Sequence, residues 1–146
     1  MKNKIKIILS ITMVFFLNIA FGSEEINYSS NTIKILEKGK IISGKGNVQI
    51  LVGDDIFISS EKFEYNKETG IYRIFNNVQL EDKIRNIKAS GSEFILSTLD
   101  NKILSKTKSK IFYNETYDID LDNFEYDIND QKITSDDFVK VKDNIN

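Results

Sequence analysis

Ile58-Ser59-Ser60-Glu61-Lys62-Phe63-Glu64-Tyr65 is a short apolar and polar alternation ending on aromatics, and the chain writes it again. It can be laid over Ile87-Lys88-Ala89-Ser90-Gly91-Ser92-Glu93-Phe94, a shift of 29, and it fits better over Ile119-Asp120-Leu121-Asp122-Asn123-Phe124-Glu125-Tyr126, a shift of 61. Gly46-Asn47-Val48-Gln49-Ile50 likewise recurs as Asn76-Asn77-Val78-Gln79-Leu80, shifted by 30. After each aromatic comes a polar turn and another apolar position: Gly70-Ile71, then Lys102-Ile103, then Lys132-Ile133. A unit of about 30 residues thus occurs three times, over roughly 46–75, 76–107 and 108–137, and residues 26–45 read as a partial leading copy. One such unit buries too little apolar surface to stand alone, so copies must stack and share an interior.

The runs themselves read as strands. Val48-Gln49-Ile50, Ile56-Phe57-Ile58, Ile119-Asp120-Leu121 and Phe124-Glu125-Tyr126 are rich in β-branched and aromatic residues. Several alternate with period 2, the mark of a strand with one buried face. Turn signals separate them: Gly44-Lys45-Gly46-Asn47, Gly53-Asp54-Asp55, Asn66-Lys67-Glu68-Thr69-Gly70, Asp100-Asn101-Lys102 and Asn129-Asp130-Gln131. Asn, Asp and Gly tolerate the left-handed backbone such turns use. The pattern predicts an all-β chain of about ten to twelve short strands, a twisted antiparallel sheet folded over on itself.

The first residues have another design. Lys2, Lys4 and Lys6 precede an apolar run from Ile7 to Phe21, and Ala20-Phe21-Gly22 places small residues before Ser23. A basic start, an apolar middle and a small-x-small end form a cleavable secretory signal over residues 1–22, leaving one domain over 23–146. The apolar run is shorter than the roughly 20 residues a membrane span needs. Without the three lysines, 17 basic residues face 22 acidic ones, a net charge of −5. That balance argues against nucleic acid, whose phosphates demand a basic surface. Cys, His and Trp are absent. No disulfide can staple the fold, and thiolate or imidazole catalysis and ordinary zinc or copper sites are excluded.

Phe63-Glu64-Tyr65-Asn66-Lys67-Glu68-Thr69-Gly70, followed by Asn77-Val78-Gln79-Leu80-Glu81-Asp82, resembles the OstA-like domain of lipopolysaccharide transport. Gly46-Asn47-Val48-Gln49-Ile50 keeps the family's second element, whereas Asn76 replaces its Gly in the next copy. Tyr126-Asp127 keeps the first, with Asn129-Asp130-Gln131 where Thr-Gly is expected. The match spans about residues 30–137. The resemblance implies a β-jellyroll, a half-open groove whose apolar interior holds the acyl chains of lipid A. It implies a periplasmic place, with outer-membrane association as an extension of it. It implies partners in other jellyrolls of the same pathway, or in further copies of this chain, joined edge to edge. It implies no cofactor and no catalytic residue. The signal-plus-domain arrangement matches the family's stand-alone bridge protein. The wording from Phe63 to Gly70 looks more like the N-terminal domain of the outer-membrane assembly protein.

Under that resemblance the groove candidates are Val48, Ile50, Ile56, Ile58, Phe63, Tyr65 and Val78, continuing through Leu80, Ile87, Phe94, Ile119, Leu121, Phe124 and Tyr126. The same residues would equally serve an ordinary closed core. The alternative function is a secreted structural or adhesive β-solenoid that assembles through its strand edges and carries no lipid.

Other constellations are weaker. Asp118, Asp120 and Asp122 are spaced like the opening of a calcium loop, but Asn123 stands where that loop needs Gly and Asn129 where it needs Glu. Asp54-Asp55 and Asp136-Asp137 fall in turns or the tail, where solvated acids are ordinary. Ser59-Ser60 has no base beside it, and the sequons at Asn27 and Asn114 are common chance matches. Lys102, Lys106, Lys108 and Lys110 suit either lipid phosphates at a rim or a charged strand that resists edge aggregation.

N-terminal sequencing of exported protein is expected to begin at Ser23, and a retained Met1 would show that the segment is not cleaved.

Overall fold

A computed structural model of the chain describes residues 25–144, and the expected signal peptide lies outside them. Twelve antiparallel strands form one sheet. They are β1 (Ile26–Ser29), β2 (Thr32–Leu36), β3 (Ile41–Val52), β4 (Ile56–Asn66), β5 (Ile71–Asp82) and β6 (Ile87–Ser97). Then come β7 (Lys102–Ser105), β8 (Ser109–Tyr113), β9 (Tyr117–Leu121), β10 (Phe124–Asp127), β11 (Lys132–Thr134) and β12 (Val139–Asp143). A single 3-10 turn, Glu37–Gly39, is the helical element among the described residues. The all-β expectation holds, but four strands are long rather than short, at 11 or 12 residues each.

The long strands fold the sheet over. Each serves two half-sheets, one with its first half and one with its second. In the upper half-sheet β2 pairs with Ile41–Lys45 of β3, and Ile95–Ser97 of β6 pairs with β7, which leads to β10 and β11. In the lower half-sheet β1 pairs with Gln49–Val52, and Ile87–Gly91 of β6 pairs with β8, which leads to β9 and β12. The corner lies where the register shifts, between Lys45 and Val48 in β3 and between Phe75 and Val78 in β5.

Gly44-Lys45-Gly46-Asn47 is not a turn between strands but a bulge inside one continuous strand. Gly46 (φ 77°) and Asn47 (φ 47°) adopt the left-handed region, and Asn76 (φ 63°) and Asn77 (φ 53°) do the same in β5. An extra residue there bends the strand while its pairing resumes on both sides. Asn therefore replaces Gly at the bulge without changing its backbone. In the later copies the corner breaks outright, into β7 and β8, β9 and β10, β11 and β12.

The register of the repeat also changes. Ile74 is flanked by Phe63 on one side and Phe94 on the other, so Phe63 corresponds to Phe94, a shift of 31 and not 29. The 61-residue shift stands, since Phe124 follows the same corner. A slip of two residues preserves which face is apolar, so alternation could not detect it. Strand-end turns repeat as well. Gly70, Asn101 and Gln131 all take positive φ, at 67°, 51° and 55°. Asn66 Oδ1 accepts from the Glu68 and Thr69 amides, and Asp127 Oδ1 accepts from the Asp130 amide. Gln131 thus completes a turn that lacks the family's Thr-Gly.

At the corner Gly44, Phe63, Ile74 and Phe94 are successive cross-strand partners, and beyond them Ser105 pairs with Phe124. A Cβ on Gly44 would collide with the Phe63 ring and lie 2.7 Å from Ser30 Oγ. Gly44→Ala is expected to cost about 1–3 kcal/mol through overpacking. Lys45→Ala, exposed beside it, should stay within about 0.5 kcal/mol by urea denaturation.

Candidate functional site

Period-2 alternation carries each apolar position across the lower half-sheet as a row. Tyr28, Ile50, Ile58, Leu80, Ala89, Ile111, Ile119 and Val141 are successive cross-strand partners on eight strands. The upper half-sheet answers with Ile35, Ile42, Tyr65, Tyr72, Leu96, Ile103, Tyr126 and Ile133. The two rows face a common interior, a trough walled by the half-sheets and floored by the corner.

The trough differs along its length. At the N-terminal end aromatics fill it. Tyr28 and Phe63 have ring centroids 5.1 Å apart, and Tyr65 stacks on Tyr72 at 4.0 Å. In the middle Ile50, Ile58, Ile74, Phe94 and Ile103 are wholly buried. At the C-terminal end the half-sheets part. A cleft of about 620 Å³ opens between Ile133 and Thr134 above and Ile111, Ile119, Leu121, Val139 and Val141 below, with Ile84, Arg85 and Ile87 on one wall. This volume lies within the range of small-molecule sites. Ile84 (69% exposed) and Val141 (57%) leave its mouth apolar and wet.

Twelve of the fourteen groove candidates are buried, while Tyr65 and Ile119 are partly buried against the same cluster. Three of them, Ile87, Ile119 and Leu121, line the open cleft; the others, Phe63 among them, pack in the filled part of the trough. The sequence reading omitted Ile111, Ile133, Val139, Val141 and Ile84. The Val139-Lys140-Val141 alternation and the third repeat's Ile133 carried a signal for three of these. Ile84 sits in a turn, where no period marks it.

The reading also missed a buried polar set. Asp82 is fully buried between its apolar cross-strand partners Ile56 and Ile87. Its Oδ2 accepts from the Tyr126 hydroxyl at 2.5 Å and from Arg85 Nη1 at 2.8 Å, and its Oδ1 accepts from the Arg85 amide at 3.0 Å. Tyr126 belongs to the upper half-sheet and Asp82 to the lower, so this bond crosses the interior. Burial first, then the Asp82 hydrogen bond, pushes the Tyr126 phenol well above its ordinary value. Burial, then the neighbouring Tyr65 and Tyr28, does the same to Tyr72. On Arg85 burial works against the charge, but the Asp82 carboxylate outweighs it and holds the guanidinium up.

The remaining charged candidates lie outside the trough. Lys102 pairs with Glu125 at 2.6 Å and Lys110 stands 3.8 Å from Asp120, while Lys106 and Lys108 are exposed beside the broken corner. Asp118 accepts from the Asn144 side-chain amide at 3.1 Å. Such exposed pairs contribute little to stability.

No protein-family model matches the sequence, and no curated protein matches it. The fold matches a solved structure, the crystal structure of LptH, described as the LptA-homologous periplasmic component of the conserved lipopolysaccharide transport device from Pseudomonas aeruginosa. The TM-score is 0.69 at 11% sequence identity, over 82% of this chain and 94% of that one. At that identity the likeness is one of fold.

The raised phenols fix the sign of an alkaline response. The unfolded chain releases these protons near the ordinary 10.0, whereas the folded chain retains them. The contribution of these two phenols is therefore fully present below about pH 10 and is lost as pH rises beyond it. Tyr126→Phe is expected to flatten that fall, measured by urea midpoints across the range. At neutral pH the same change should cost about 1–3 kcal/mol. Asp82→Ala, which strands Arg85, should cost about 3–5 kcal/mol.

Proposed function

We propose that this chain is a periplasmic carrier of lipopolysaccharide, holding acyl chains in the trough and passing them toward the outer membrane. One observation carries the reading: an unbroken apolar row crosses eight strands and ends in an open, wet-mouthed cleft. A buried CH₂ is worth about 0.8 kcal/mol, so acyl chains do not cross water unprotected. A wall of Ile, Val and Leu grips them without specific bonds and lets them slide. The LptH likeness and the OstA-like motifs support the same assignment. The expected signal peptide supports export to the periplasm.

The groove set named from the sequence divides under this reading. Ile119 and Leu121 receive the chain at the cleft, and the filled stretch from Val48 to Phe94 accepts it when the half-sheets separate. Among the described residues, β1 and β2 at one end, and β11 and β12 at the other, are the edge strands, where further jellyrolls, including copies of this chain, would join. The function requires no cofactor and no catalytic group. The exposed Ile33 and Ile35 of the β2 edge also suit the structural alternative, assembly without lipid.

A photo-crosslinker at Ile119 or Val141 is expected to capture lipopolysaccharide, because both belong to the inner row. The same probe at Asp120 or Lys140, one residue out of phase, should not. Equal capture at inner and outer positions, or none at either, would remove the carrier reading and leave edge assembly standing.

A further inference from the structure

We propose that Asp82, Arg85 and Tyr126 form a latch across the long open side of the trough, and that a ligand passes from the cleft into the filled interior only when this latch parts. The inference rests on the carrier reading and adds to it the element that governs entry.

The position of the three residues is the first argument. Arg85 and Ile87 form part of the cleft wall, and Arg85 also meets Ile128 and Asp55 at a small space on the far side. Asp82 lies at the last residue of β5, at the end remote from the corner. The Tyr126–Asp82 bond thus stands where open cleft gives way to closed interior, and it ties the half-sheets where the corner cannot.

The kind of interaction is the second argument. Away from the corner, where Ser109 bonds to Ser105, the half-sheets meet mostly through buried apolar side chains, whose contacts are non-directional. A lipid tail can replace those contacts with others of the same kind. It cannot replace a buried hydrogen bond to a carboxylate, which is directional and costly to leave unmade. Opening the trough for an acyl chain therefore meets its main resistance at this one bond.

The state of the network is the third argument. Arg85 Nε is buried without a hydrogen-bond partner. A fully satisfied network rigidifies; here one donor contributes no bond to holding the half-sheets together. On parting, Asp82 keeps Arg85 as its ion partner within the lower half-sheet, so its charge is not left bare. The Tyr126 hydroxyl is the group set free.

The chain has no cysteine, so single cysteines report opening against a silent background. Ala89→Cys places a thiol on the inner row near the latch, and Val48→Cys places one beside the corner; both native residues are buried. In the mature protein without lipid, Tyr126→Phe is expected to speed thiol labelling at Ala89→Cys about tenfold or more, the factor expected for one charge-assisted hydrogen bond acting on a local opening. Labelling at Val48→Cys should change less than about twofold, as that region opens only with the whole fold. Asp82→Asn keeps an oxygen acceptor but loses the charge, so its rates should fall between, and it supplies the comparison if Tyr126→Phe does not fold. Unchanged labelling at Ala89→Cys, or equal acceleration at both positions, would overturn the latch. Added lipopolysaccharide should slow labelling at Ala89→Cys in both backgrounds and reach that protection faster with Tyr126→Phe. Equal rates of protection would also overturn the latch. Absence of protection in both backgrounds, with the lipid-free difference intact, would instead overturn the carrier reading and leave the latch as a property of the fold.

Discussion

At the corner, β3 and β5 carry one residue more than the strands beside them, and the rest of the architecture depends on that surplus. A flat sheet of this width would bury one face against nothing. The bulges at Gly46-Asn47 and Asn76-Asn77 turn the long strands so that both halves present their apolar sides to one another. In β4 the inner positions run Ile56, Ile58 and Ser60, then Phe63, and the alternation changes phase across the corner. In β3 and β5 the bulge absorbs the same change. Neighbouring strands thus keep their inner faces aligned on both sides of the fold. A left-handed backbone is the local requirement, and Gly or Asn meets it cheaply.

Packing at that corner then sets where space is left. Phe63, Phe94 and Phe124 occupy alternate strands, with Gly44, Gly91 and Ser105 making room for them. This fills the floor of the trough and, with Tyr28, Tyr65 and Tyr72, its N-terminal end. Toward the C-terminus the corner residues no longer form a continuous bulge. The strands break into separate short pairs, and the half-sheets they extend diverge around the cleft. One chain therefore holds a packed core and an open apolar surface in series, joined by the same rows of side chains.

Polar chemistry in the interior is sparse and placed where it matters mechanically. Asp82 stands between Ile56 and Ile87 on the neighbouring strands, and its hydrogen-bond partners come from both half-sheets. Burying a carboxylate would be costly without them. Its presence fixes the relative position of two surfaces that apolar contact alone would leave free to slide. Hydroxyl groups do similar work at the broken corner. There Ser109 donates to Ser105 at 2.8 Å, and Ser105 reaches the Glu93 and Thr107 carbonyls where strand pairing has lapsed.

The sequence by itself determined that the chain is all-β and, within each alternating run, which side chains share a face; it also shows a motif recurring about every 30 residues. Period 2 is sufficient for that only within one unbroken run, where every second side chain shares a face. Ile58 and Phe63 fall on one face despite their odd spacing, and the repeats show it by carrying both through Ile119 and Phe124. What alternation could not determine was register, for a slip of two residues leaves every face unchanged; hence Phe94 aligns with Phe63 and not Tyr65. Nor could it separate a bulge from a turn at Gly44-Lys45-Gly46-Asn47, because both need the same left-handed residues. The open cleft and the Asp82–Tyr126 bond belong to tertiary structure alone. Asp82 and Tyr126 are far apart in sequence, and whether an apolar row is core or groove depends on what stands opposite it, which no local pattern records.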